Sequence, residues 1–183
     1  MDKNLYVYVL RSRNKDNKDV PNFKERCRTI LAYDEDETRI FEQFRNFAKE
    51  GLPGEKTRLY RSVNKRNEEK VLMGLLIRLI EEKPSVTNVN RILASVAQQK
   101  ENAAEKKWLF DFDIDDEVLL DSFIKDIKAC SSDIQISKKK TPNGFAIVTN
   151  HGFDTRELLK KYADYDITLK RDELLFLDMI ENV

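Results

Sequence analysis

Two rhythms of apolar and polar positions run along this chain. LYVYVL at 5–10 is a continuous apolar run, β-branched and aromatic, and predicts a buried strand. A polar loop follows, then a second strand is expected around residues 27–33. With Asp34 as N-cap, Phe41, Phe44, Phe47 and Ala48 share one helical face, and Gly51 closes that helix. Residues 56–63 alternate as a strand. With Asn64 as N-cap, residues 67–82 carry Val71, Leu72, Leu75, Leu76, Leu79 and Ile80 at helical spacing, ending at Pro84. A further helix is expected from Ser85, fading into a polar stretch at 98–107.

The second half alternates more cleanly. A strand at 108–114 precedes a helix capped by Asp115 or Asp116 and carrying Val118, Leu119, Leu120, Phe123, Ile124 and Ile127. Strands at 133–137 and 144–149 are joined by KKKTPN, with Gly144 free to take a positive φ in the turn. A short helix at 155–162 and strands at 167–169 and 174–177 complete the chain. From Trp108 the order is βαββαβ, the split-βαβ pattern of ferredoxin-like and RNA-recognition folds. The fold class expected is α+β: a split-βαβ core at 108–183, an N-terminal α/β part at 1–107, and helices packed on the sheet, together one domain.

Composition narrows the function. The chain has 183 residues, with 33 Lys+Arg against 33 Asp+Glu, so it is not coated in one charge. No apolar stretch approaches the ~20 residues of a membrane span. Asp2 and a six-residue apolar run do not read as a signal peptide. Cys27 and Cys130 make no CxxC pair and suggest a reducing, cytoplasmic setting. With one His, and no GxSxG or P-loop, an ordinary hydrolase is not expected.

Candidate chemistry concentrates in WLFDFDIDD at 108–116. On a strand, Phe110, Phe112 and Ile114 face one way and Asp111, Asp113 and Asp115 the other. Carboxylates at i and i+2 lie about 7 Å apart, close enough to share Mg²⁺ or Mn²⁺. The same aspartates can equally line a solvated face and cap the next helix. Lys138, Lys139 and Lys140 enter the turn as candidate phosphate contacts, with His151 beyond it; the alternative is a solvated hairpin tip. Arg58, Arg61, Lys65 and Arg66 form a second basic cluster, suited to sugar-phosphate contacts or to guarding a strand edge.

These segments, WLFDFDIDD, TPNGFAIVT and LKRDELLFL, resemble the archaeo-eukaryotic primase superfamily, in the reduced form found in small phage-encoded proteins. The resemblance covers residues 108–178. It implies a DxD metal pair at Asp111 and Asp113, a third carboxylate at Asp172, and metal-dependent nucleotidyl transfer in a bacterial host's cytoplasm. It also implies a phosphate-binding His on the later strand, where this chain has Ala146; His151 lies five residues on. That departure keeps two other functions open. One is a non-catalytic RNA- or DNA-binding module. The other is a phage interaction or counter-defence protein that grips a host factor through the helices at 67–107.

Overall fold

A computed structural model describes residues 4–183, so Asp2 of the leader reading lies outside the described residues. The chain divides into two compact units. One comprises the described residues up to Ala104 together with Phe176–Val183; the other is Glu105–Leu175.

The first unit holds β1 (Leu5–Ser12), β2 (Arg26–Tyr33), α1 (Glu37–Lys49), β3 (Lys56–Ser62), α2 (Glu68–Glu82) and α3 (Val89–Ala97). Its sheet runs β2-β1-β3-β8, where β8 (Leu174–Glu181) is the last strand of the chain. The central strand β1 pairs antiparallel with both neighbours and is buried on both faces, which explains its unbroken apolar run. Tyr6, Tyr8 and Leu10 pack with Ile40, Phe44 and Phe47 of α1, while Val7 and Val9 fill the opposite side. The polar loop after β1 is tied down by Asn17. Its side-chain nitrogen donates to Arg13 O and Lys56 O, and its Oδ1 accepts Lys56 N. The N-cap of α2 is Asn67, whose Oδ1 accepts Lys70 N, in place of the expected Asn64. Of the six apolar positions expected to pack along α2, only Val71 is buried.

The second unit holds β4 (Trp108–Phe112), α4 (Glu117–Cys130), β5 (Ile136–Thr141), β6 (Gly144–Thr149), α5 (Arg156–Lys161) and β7 (Ile167–Arg171). Its sheet order is β5-β6-β4-β7 with every neighbour antiparallel, the arrangement that the split-βαβ pattern requires. Phe110 and Phe112 turn inward against Leu120, Phe123 and Ile127 of α4 and Leu158 of α5. The edge-to-face contact of Phe110 with Phe123, centroids 5.5 Å apart, ties strand to helix. Asp116 caps α4 by accepting the N–H groups of Val118 and Leu119.

Three further expectations differ from the structure. The lysines at 138–140 lie within β5, and the turn shrinks to Pro142 and Asn143. Gly144 needs no positive φ. A Cβ there would meet Phe112 O at 2.1 Å and Ile114 N at 2.6 Å, so glycine is required by close backbone approach. The final strand β8 joins the sheet of the first unit.

Candidate functional site on the acidic strand

Strand alternation gives the second sheet a face packed on α4 and α5 and an opposite face, on which Leu109 and Ala146 are buried and Asp111, Lys139 and Lys170 are partly exposed. Register places two rows across that opposite face: Lys139, Ala146, Asp111 and Thr168, then Ser137, Val148, Leu109 and Lys170. Ala146, where the resemblance implies a His, stands directly opposite Asp111. A methyl, with no hydrogen-bonding capacity, therefore faces this carboxylate across the sheet.

Asp111 is engaged from the other side. Lys170 Nζ donates to Asp111 Oδ2 at 2.5 Å, the two residues lying on adjacent strands one row apart. Burial pulls the Lys170 ammonium down. The bond to Asp111 and the charges of Asp111, Glu173 and Asp113 outweigh it, so the ammonium is held above the ordinary lysine range. Asp113 lies past the last residue of β4, exposed, with its N–H donating to Asp166 O at 3.0 Å.

Asp172 sits elsewhere. Asp111 pairs with Thr168, whereas Asp172 follows Arg171, which pairs with Trp108 at the opposite end of β4. Three residues of strand, about 10 Å, separate the two rows, and Asp172 lies one residue further on. Asp172 takes a left-handed φ of 60° in the turn between β7 and β8. Among the described residues no group of three or more His, Cys, Asp or Glu side chains could hold a metal ion. The three carboxylates that the resemblance assigns to Mg²⁺ or Mn²⁺ are therefore not gathered into one site.

The three lysines separate by the same alternation. Lys138 Nζ lies 3.9 Å from Asp121 Oδ1, and Lys140 donates to Asp115 and sits over the Phe145 ring, both on the helix side. Lys139 alone joins the opposite face, beside Ala146. A row of lysines on β5 also fits its place at the sheet edge, where charge blocks pairing with another sheet. His151 is a loop pin: its Nδ1 donates to Gly152 O at 2.9 Å, its Nε2 faces Asp133 Oδ2 at 3.2 Å, and Thr149 Oγ1 donates to its carbonyl.

The second basic cluster, in the first unit, is not an open patch. Arg58 is bound to Asp16 at 2.5 Å, and both side chains are mostly buried. Arg61 projects to the other face and stacks on Tyr6, 4.6 Å from the ring centroid. Lys65 donates to Asn4 Oδ1, and Arg66 is buried with its N–H on Leu5 O.

Lys170 is the site residue that the sequence reading passed over. The strand expected at 167–169 stops short of it, with residues 170–173 reading as a turn, whereas β7 runs on to Arg171; its partner lies 59 residues away. The free cysteines Cys27 and Cys130 are exposed, and no helix of the described residues is long and apolar enough to cross a membrane. Compared with known proteins, the chain matches no family model, no curated protein and no solved structure.

Proposed function

We propose that the second unit is a non-catalytic nucleic-acid-binding module, a degenerate form of the primase-like sheet that grips a phosphate backbone. The observation that carries this reading is the Lys170–Asp111 ion pair, in which the carboxylate that the resemblance assigns to a metal is engaged by an ammonium. Ala146 opposite Asp111 and the distance to Asp172 point the same way. Lys139 offers a cation from edge strand β5, and Lys170, whose charge Asp111 shares, a second from edge strand β7, with the hydroxyls of Ser137 and Thr168 beside them. Phe110, Phe112 and Phe145 are committed to the helix-covered core, so the grip is on phosphates rather than on stacked bases. The reading of a host-protein partner rests instead on the charged helices at 67–107 and calls on no residue of this sheet.

The test is fluorescence anisotropy with single-stranded DNA and RNA across a salt series, beside a labelled-nucleotide incorporation assay with Mg²⁺ and Mn²⁺. Two phosphate contacts give a slope of about −1.4 in log K against log salt. Binding is expected without metal, to be lost in Lys139→Ala/Lys170→Ala and kept in Asp111→Asn, with no incorporation. Metal-dependent incorporation abolished by Asp111→Asn overturns the proposal, as does a flat titration at low salt.

A further inference from the structure

Helix α2 is apolar nearly all round, yet only one side of it is covered. Gly74 lies against α3, where a Cβ would stand 2.8 Å from Val96 Cγ1, and Arg78 Nη1 donates to Ser95 Oγ on the same side. Val71 is buried. The opposite side presents Leu72, Met73, Leu76, Ile77 and Ile80 to solvent, with exposures from 50% at Leu72 to 73% at Ile80. A helix with apolar residues on both faces belongs between two packing partners. A contiguous patch of this kind marks an interaction surface.

The ends of the stripe say what covers it. Glu69, Leu76 and Lys83 are spaced by seven residues, and a helix drifts only ~20° over that interval. Glu69 therefore opens the apolar stripe, Leu76 is its centre, and Lys83, the C-cap, follows its end. Glu69 and Lys83 are exposed and form no ion pair among the described residues. We propose that this face is the interface of a homodimer, with α2 packed antiparallel on α2 of a second copy. The two-fold axis passes beside Leu76.

That geometry pairs every position with a suitable one. Leu76 meets its own equivalent, Leu72 meets Ile80 of the second copy, and Glu69 meets Lys83 at both ends. A parallel pairing would instead set Glu69 against Glu69. Self-complementarity about an axis is the mark of a two-fold interface. Covering five such side chains on each copy buries on the order of 1,000 Å² in total, the lower limit for a specific interface. This inference stands apart from the nucleic-acid reading, because it concerns the other unit and needs no ligand.

The experiment is sedimentation velocity on the full, nucleic-acid-free chain over a dilution series, with circular dichroism to verify folding. Wild type is expected to pass from monomer to dimer with concentration. Leu76→Glu, which lies at a solvent-facing position of the single chain, is expected to stay monomeric and fully helical. Glu69→Lys and Lys83→Glu alone each create two like-charge contacts and weaken dimerisation on the order of tenfold. An equimolar mixture of those two single variants restores opposite charges at both ends and should recover a heterodimer. A wild type that stays monomeric throughout overturns the proposal, as do a dimer that survives Leu76→Glu and a mixture that gains nothing over its components.

Discussion

Lys170 reaches across from β7 to place its ammonium 2.5 Å from the Asp111 carboxylate at the centre of the second sheet. The pair is about one-third exposed, so it contributes modestly. Lys170→Ala and Asp111→Asn are each expected to lower unfolding free energy by about 0.5–1 kcal/mol. The double variant should lose less than the sum of the two. Urea denaturation of the four proteins measures the coupling, and strict additivity would show that the two charges do not interact.

Glu55 is the acid-sensitive point of the first unit. It is 2% exposed, receives Arg26 Nη2 at 2.5 Å, and accepts the Leu52 N–H at 2.9 Å. Burial alone would raise its carboxyl; the bonds from Leu52 and Arg26 outweigh that and hold it below the usual glutamate range. A carboxyl depressed on folding contributes stability above its unfolded value, and that contribution is lost as pH falls through the folded value. The loss therefore falls below about pH 4. Glu55→Gln is expected to cost about 2 kcal/mol at neutral pH, because the Arg26 guanidinium loses its charged partner. It should also flatten the acid limb of a stability–pH profile; an unchanged limb would remove Glu55 from the account.

Gly144 tolerates no side chain. The clash of an added Cβ is with the backbone of Phe112 and Ile114, which cannot rotate away. Gly144→Ala should destabilise the second unit by roughly 3 kcal/mol or more, since relief requires separating β6 from the end of β4. A thermal melt following the near-ultraviolet signal of Trp108 reports that unit, and an unshifted midpoint would contradict the packing described.

Asp116 is a cap and not part of the acidic site. Its Oδ1 accepts Val118 N at 2.9 Å and Leu119 N at 3.0 Å. Asp116→Ala is expected to cost about 1 kcal/mol, with Asp116→Asn recovering most of it. An equal loss in both variants, measured by urea midpoints, would point to charge rather than to capping.

The alternation of phenylalanines and aspartates in WLFDFDIDD, and the helical spacing after it, were enough to read the split-βαβ order. The lysines at 138–140 were read as a loop because lysine is a poor strand former; at a sheet edge that weakness becomes protection. The site itself was less legible. Asp111 was visible as a carboxylate on a strand, but its partner comes from a register that local periodicity does not contain. Alternation does place Arg58 and Arg61 on opposite faces of β3, but their partners Asp16 and Tyr6 come from outside that strand. On α2, periodicity marked the apolar positions without saying which side has something to lean on.

The place of β8 bears on how the molecule is made. Both flanks of the Glu105–Leu175 segment belong to the other unit, whose fourth strand is translated last. On the ribosome, β3 waits as an unpaired edge while the whole of that segment emerges. The later-numbered unit can thus close first, and the earlier one is sealed only when β8 arrives.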